Sequence, residues 1–255
     1  MFLSLFCYVK FYIDLACYRI SCMNLKTVVV LPAYNAQKTL EKTVKAIPKG
    51  VADQIILVDD GSKDGTLDLA KKLGLTVYRH KRNKGYGANQ KSCYKKALKN
   101  GADIIVMLHP DYQYDPKLIP HLVDFIADDY FDIMLGSRIR SRKEALDGGM
   151  PVYKYWANRI LTMFENIMTG QNLGEWHTGM RAYSSRVLKK INYRNFSDDF
   201  IFDTQMLLAS VKLGFRVGDI PVPVRYLPES SSINIFRSIK YGLQTIAETI
   251  KYLFV

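Results

Sequence analysis

The stretch KTVVVLPAYN, residues 26–35, decides the fold. It opens with an unbroken β-branched and aliphatic run and ends on proline, tyrosine and asparagine. A strand with one wet face alternates apolar and polar residues. A run without alternation is buried on both faces, as in a parallel sheet covered by helices. Working outward, the pattern returns in QIILV (54–58), LTVYRH (75–80), DIIVML (103–108) and FDIMLGS (131–137). Helical spacing fills the gaps. Leu40, Val44 and Ile47 are stopped by Pro48 and Gly50, and DGTLDLAKKLG (64–74) has Asp64 as cap and Gly74 as stop. Residues 88–99 run into Asn100-Gly101, and Asp115-Pro116 supplies a cap and first-turn proline ahead of Leu118, Leu122 and Phe125. The alternation predicts an α/β fold: a mostly parallel, Rossmann-like sheet with helices on both faces.

After residue 141 the rhythm changes. RKEALDGG (142–149) reads as a flexible loop, residues 151–168 as a helix apolar around much of its circumference, and TGMRAYS (178–184) as a short extended piece. A helix over 200–213, an extended FRVGDIPVPVRY (215–226) and an amphipathic tail helix from 232 follow.

The chain has 255 residues, 48% of them hydrophobic, with a formal charge of +12. Such a charge favours anionic partners. Lys and Arg are spread without a dense block, which argues against nucleic acid. The cysteines, Cys7, Cys17, Cys22 and Cys93, form no CxxC pair, so neither a metal cluster nor a disulfide framework is expected, and a reducing, cytoplasmic setting fits. Residues 1–22 are apolar but broken by Lys10, Asp14 and Arg19: too short a run to span a membrane, in the wrong charge order for a signal peptide. Met23 opens a clean domain start. Residues 1–22 are therefore expected outside the fold, either upstream of the natural start or as a short membrane-surface anchor.

In open parallel sheets, ligands bind at the carboxyl ends of the strands. Those ends carry Pro32, Tyr34 and Asn35; Asp59 and Asp60; His109 and Asp111; and Arg138. Two adjacent carboxylates and a third nearby repel one another unless a cation or a donor-rich ligand is shared.

VVLPAYNAQKTL, LVDDGSKDGT, NKGYGANQKSCYKKAL, HPDYQYDP, LGSR, TGMRAYS and GFRVGDIPVPVRY occur in the order seen in family 2 glycosyltransferases. The ordered set spans residues 25–226 and most resembles the dolichol-phosphate mannosyltransferase-like branch. The resemblance implies a GT-A fold over residues 23–228, with a nucleotide-binding half to about residue 140 and an acceptor half after it, and residues 229–255 as a separate tail helix. It implies inverting transfer from a UDP- or GDP-sugar with Mn²⁺ or Mg²⁺, and a polyprenyl phosphate acceptor at a membrane face.

By the same resemblance, Asp59 accepts from the base or ribose with Asp60 beside it, and Pro32 and Tyr34 line the base pocket. Relatives usually have Glu after YN; here it is Ala36. The Asp-x-Asp position reads His109-Pro-Asp111, followed by Gln113, so His109, Asp111 and Gln113 are the candidate metal ligands. An imidazole suits Mn²⁺ better than Mg²⁺. His109 as ligand, His109 behind a metal held by Asp111, and loss of the metal are three open readings. Arg138, Arg159, Arg181 and Arg225 are candidates to clamp phosphates, with a structural role the alternative for Arg181. NKGYGAN lacks the third glycine of a cofactor loop, so Gly85 and Gly87 are read as backbone freedom. A phosphate acceptor needs no base; a glycan or small-molecule hydroxyl does, and Asp203 is the candidate, with His177 either a further acceptor contact or a structural residue. A non-catalytic sugar-nucleotide-binding protein is the third reading. The helix around Trp156 and the tail pair apolar faces with Lys and Arg, a pattern that fits either peripheral membrane contact, as in interfacial helices, or ordinary core packing.

Overall fold

The computed structural model describes residues 25–223, 225–226 and 235–254. Residues 1–22, with Cys7, Cys17 and Cys22, lie outside the described residues, as do 227–234 at the start of the tail. Among the described residues the sheet has seven strands: β1 (Thr27–Ala33), β2 (Gln54–Asp59), β3 (Thr76–Arg79), β4 (Ile104–Met107), β5 (Ile133–Ser137), β6 (Arg181–Ser184) and β7 (Val217–Pro221). Their order is β3-β2-β1-β4-β6-β5-β7. Every pairing is parallel except those of β6, which runs antiparallel between β4 and β5.

The helices are α1 (Gln37–Ala46), α2 (Thr66–Lys72), α3 (Tyr86–Lys99), α4 (Ile119–Ala127), α5 (Arg142–Asp147), α6 (Val152–Thr169), α7 (Ser185–Lys190), α8 (Phe202–Lys212) and α9 (Ile235–Phe254). Short 3₁₀ turns at Pro116–Leu118 and Tyr193–Asn195 complete the elements.

Why β1 shows no alternation is visible in its two faces. Val28 and Val30 pack with Cys93, Tyr94 and Ala97 of α3 and with Phe202, Met206 and Leu207 of α8. Val29 and Leu31 pack on the other side with Leu40 of α1, Ala70 of α2 and Ile119, Leu122 and Ile126 of α4. Each fully buried Val, Leu or Ile contributes roughly 1.5–3 kcal/mol, so a strand sandwiched this way is held from both layers.

Local chemistry sets the helix starts. Asp64 accepts from the Thr66 amide at 3.0 Å and from the Gln37 amide at 3.1 Å, so one carboxylate serves the first turns of α1 and α2. Asp115 accepts from the Lys117 amide, and the helix behind Pro116 begins as a 3₁₀ turn before α4. Residues 142–149, expected as a flexible loop, instead hold α5: Ser141 accepts from the Glu144 amide at 3.1 Å and buries Ala145. The Ser-x-x-Glu capping box lay one residue upstream of the stretch taken as a loop.

Candidate active site

Two cavities open at the carboxyl ends of β1, β2 and β4. The outer one, of about 1020 Å³, is lined by Pro32, Tyr34, Asp60, Lys84 and Gly85 on one side and Ser197, Asp198 and Arg237 on the other. The inner one, of about 240 Å³, is walled by Met150, Tyr153, Leu161 and Tyr226, with Arg138, Lys154 and His177 set among them. Tyr86, His109, Asp111 and Phe200 line both, so the cavities meet there.

The two carboxylates after β2 have separate tasks. Asp59, expected to meet the nucleotide, lines neither cavity: its oxygens accept from the Ser62 amide at 3.2 Å and lie 3.3 Å from Arg79 Nε. Asp60 faces the outer cavity. It accepts from the amides of Lys84 and Gly85 at 2.9 and 3.0 Å and pairs with His80 Nδ1 at 2.7 Å. The pleat of extended backbone turns successive side chains to opposite faces, so of these two neighbours only one points into the cleft. Asp60 thereby holds the glycine loop against the cleft wall.

The glycines of that loop do more than loosen it. A Cβ on Gly87 would lie 2.5 Å from the Ser197 carbonyl oxygen, and one on Gly85 2.7 Å from that of Asp198. The Gly87 amide donates to Asp198 O at 2.8 Å. The loop therefore docks on the segment before α8, and Tyr86 between the glycines is carried to the junction of the cavities.

At that junction Tyr86 donates its hydroxyl proton to Asp203 Oδ2 at 2.7 Å and lies 3.1 Å from His109 Nε2. The other Asp203 oxygen accepts from Gln90 Nε2 at 3.0 Å. Arg181 stands 3.8 Å from Asp203 and donates to the carbonyls of Thr178, Trp176 and Asp203. Arg181 lines neither cavity and is wholly buried, so it braces Asp203 and does not clamp a phosphate. Burial, then the charge of Asp203, pushes the Tyr86 phenol well above its ordinary range and keeps it a donor. Burial pulls His109 below its ordinary value, against the opposing pull of Asp111 and Asp203. Its ring rests on Gly179, where a Cβ would come within 2.6 Å of Cδ2.

Arg138 lines the inner cavity. Its Nε donates to Glu175 Oε1 at 2.8 Å, its backbone amide to Oε2 at 2.6 Å and its Nη2 to His177 O at 2.7 Å. Glu175 is fully buried; burial would raise its pKa, but the Arg138 guanidinium outweighs this and holds the carboxyl below its usual value. Arg138 thus enters the cavity with its charge largely answered. Lys154 does not: it has no ion-pair or hydrogen-bond partner among the described residues, and burial followed by the proximity of Arg138 depresses its pKa. Arg159 and Arg225 line neither cavity. Arg159 donates to Gly174 O at 2.6 Å, and Arg225 pairs with Asp115 at 3.1 Å. His177 faces the inner cavity and meets Tyr241 of α9 through Nδ1 at 2.8 Å.

Sequence reading thus missed Tyr86, Gln90, Lys154 and Glu175. The GYG triplet was the visible signal for Tyr86. A helical lysine and a loop glutamate carried none.

Among the described residues no three His, Cys, Asp or Glu side chains converge as a metal cluster. A cation shared with a diphosphate needs only one or two protein donors. His109 and Asp111 stand at the junction of the cavities, and Gln113 lines the inner one while its amide donates to Asp111 Oδ1 at 3.0 Å. One imidazole, one carboxylate and one carboxamide form a donor set that fits such a shared ion.

The sequence model described as glycosyl transferase family 2 matches residues 28–192. An uncharacterized protein of Methanocaldococcus jannaschii is 30% identical over 87% of this chain and 91% of its own. The UDP-N-acetylglucosamine–dolichyl-phosphate N-acetylglucosaminyltransferase of Methanococcus voltae is 28% identical over 77% of this chain and 84% of its own. Among solved structures, glucosyl-3-phosphoglycerate synthase from Mycobacterium tuberculosis, in complex with Mn²⁺, UDP and phosphoglyceric acid, superimposes with a TM-score of 0.71 at 17% identity, over 92% of this chain and 81% of that one. The sheet, its single antiparallel intruder and these matches agree: the chain has the GT-A fold and belongs to glycosyl transferase family 2, in the branch that resembles the dolichol-phosphate mannosyltransferases.

Proposed function

We propose that the chain moves a sugar from a nucleoside diphosphate sugar to a polyprenyl phosphate, with inversion. The observation that carries this reading is Lys154: a half-buried cation, unpartnered among the described residues, beside Arg138 in a cavity with apolar and aromatic walls. An unpaired ammonium in such a place favours an anion with an apolar body. The catalogue of Asp203's partners points the same way. Asp203 lines the inner cavity, but each of its oxygens already accepts a hydrogen bond, from Tyr86 and from Gln90, so it sits there as a fixed acceptor within a network. A lipid phosphate, with a second pKa of about 6, is already ionised near neutral pH and needs no base.

In this reading the nucleotide lies in the outer cavity against Pro32, Tyr34 and Asp60, and the sugar reaches the junction at His109 and Asp111. Lys154 and Arg138 hold the acceptor phosphate in the inner cavity. A phosphate oxygen attacks the anomeric carbon as its bond to the diphosphate breaks, and in-line attack inverts that carbon. When bound at Asp111 with His109 or Gln113, a divalent cation supplies charge neutralisation for the diphosphate. The solved neighbour in complex with Mn²⁺ and UDP supports that choice, as the dolichyl-phosphate relative supports the acceptor.

The chain has no described helix long and apolar enough to cross a membrane. Instead α6 exposes Trp156, Ile160 and Ile167, and α9, packed on α6, exposes Phe236, Leu243 and Phe254. These faces, with Lys154, Lys240 and Lys251 among them, suit peripheral attachment at a cytoplasmic membrane face, where a polyprenyl tail can enter beside Lys154.

Calorimetric titration with UDP and with GDP, each with and without Mn²⁺, tests the donor half. One nucleotide is expected to bind, more tightly with Mn²⁺ and more weakly in Asp111→Ala. Incubation with both classes of radiolabelled sugar nucleotide and polyprenyl phosphate in detergent tests the acceptor half. A water-soluble product instead of a lipid-phase one would overturn the acceptor, and silence in both experiments would overturn the transferase reading.

A further inference from the structure

A phenol has one proton to give. Tyr86 gives its proton to Asp203 Oδ2 at 2.7 Å, yet it also lies 3.1 Å from His109 Nε2. With its proton committed, the Tyr86 oxygen can only accept, so His109 Nε2 must carry the hydrogen in that pair. The neutral ring then has its lone pair on Nδ1, since only one nitrogen of a neutral imidazole is protonated. Nδ1 takes no hydrogen bond from any described residue, while Nε2 and Cδ2 are backed by Tyr86 and Gly179. The ring lines the junction of the two cavities together with Asp111.

We propose that Asp203 and Tyr86 act as positioning residues that fix His109 in its Nε2–H tautomer, so that Nδ1 is offered beside Asp111 as a nitrogen donor to the divalent cation accompanying the diphosphate. The arrangement is a carboxylate–phenol–imidazole chain that does from two residues away what a carboxylate commonly does directly for a metal-bound histidine. Gln90 and Arg181 complete it by holding the Asp203 carboxylate from its other sides. Tyr94 in turn donates to Gln90 Oε1 at 2.9 Å, which orients the Gln90 amide with its NH₂ toward Asp203. Every polar group from Tyr94 to His109 therefore has its donor and acceptor sense dictated by the next. A mixed nitrogen and oxygen donor pair favours Mn²⁺ over Mg²⁺, whose ligands of choice are all oxygen.

This inference rests on the transferase reading for its cation but not for its tautomer. The first measurement is therefore made without nucleotide or metal. The full chain is labelled with ¹⁵N in its histidine rings, and two-bond ¹H–¹⁵N correlation spectra are recorded, with His109 identified by its loss in His109→Gln. A protonated Nε2 and a bare Nδ1 are expected; a proton on Nδ1 overturns the proposal. The second uses Tyr86→Phe, which keeps the ring and removes the oxygen. The His109 tautomer preference should collapse to a mixture. Mn²⁺ affinity, read by electron paramagnetic resonance with UDP and separately with GDP present, should fall about 10-fold to 100-fold, as for other lost partners of a ligand. Mg²⁺ affinity, read by competition, should change less. Unaltered Mn²⁺ affinity in Tyr86→Phe overturns the proposal. Failure of wild-type protein to bind either nucleotide would instead strike the transferase reading and leave the tautomer result standing.

Discussion

Glu175 stays charged in a wholly buried place because Arg138 reaches it through both side chain and backbone. Its folded-state pKa lies below the ordinary 4.5, so the stability it lends is fully present above that value and is lost as pH falls through the lower folded one. Glu175→Gln leaves Arg138 buried without its counter-charge. It should cost about 3–5 kcal/mol at neutral pH in urea denaturation, with the gap to wild type closing under acid conditions. An equal cost at every pH would show that packing, not charge, is what Glu175 supplies. Lys154 is the opposite kind of residue, a charge without a partner among the described residues. Lys154→Ala should leave stability intact and raise KM for a polyprenyl phosphate about tenfold to a hundredfold, from the roughly 1.5–3 kcal/mol of one charged hydrogen bond. KM for the sugar nucleotide should not move; a shift in the donor's KM alone would place Lys154 in the other substrate's site.

The glycine loop shows how an element can be set by space more than by freedom. Gly87 is helical in sense and needs no unusual backbone; what it needs is the absent Cβ, 2.5 Å from Ser197 O and 2.9 Å from Phe202 Cβ. Gly87→Ala should cost about 1–3 kcal/mol by overpacking and should weaken nucleotide binding through the displaced loop, readable by calorimetry. A fully stable variant with native affinity would show that the loop does not dock as described. At the other end of the chain, α9 is tied inward by Tyr241, whose hydroxyl meets His177 and lies 3.1 Å from Thr204 Oγ1, while Phe236, Leu243 and Phe254 face outward. Replacing Phe236 and Leu243 by Ser removes two large apolar side chains from solvent contact. Thermal stability should hold, and sedimentation with anionic vesicles should fall at least about tenfold, since burying each such side chain yields roughly 1.5–3 kcal/mol. Unchanged sedimentation would overturn peripheral attachment through this face.

For the whole molecule, the decisive event is the meeting of residues far apart in the chain. Tyr86, His109 and Asp203 come from the first turn of α3, the loop after β4 and the first turn of α8, and they converge where the glycine loop docks on the segment before α8, beside β6, which enters the sheet antiparallel between β4 and β5. That insertion brings Arg181 beneath Asp203 and sets the 174–179 loop, with Glu175 and Gly179, against Arg138 and His109.

What the sequence determined by itself follows from short-range rules. Unbroken apolar runs marked β1, β2, β4 and β5, because a strand covered on both faces has no polar side to show. Asp64, Asp115 and the glycine stops marked helix ends, because caps answer amides only a few residues away. The strand ends pointed to the cleft, because in such sheets that is where ligands enter. The tertiary structure alone decided which charges are spent. Arg159 and Arg225 read as phosphate clamps, and Arg181 as a clamp or a structural residue, yet each is engaged by a carbonyl or carboxylate distant in the chain, or close in the chain but across a turn. Asp59 and Asp60 are indistinguishable as letters and differ only in the face to which each is turned. Lys154, an ordinary lysine in sequence, stands in the inner cavity with no ion-pair or hydrogen-bond partner among the described residues. Partnership is a matter of through-space distance, and a sequence orders residues only along the chain.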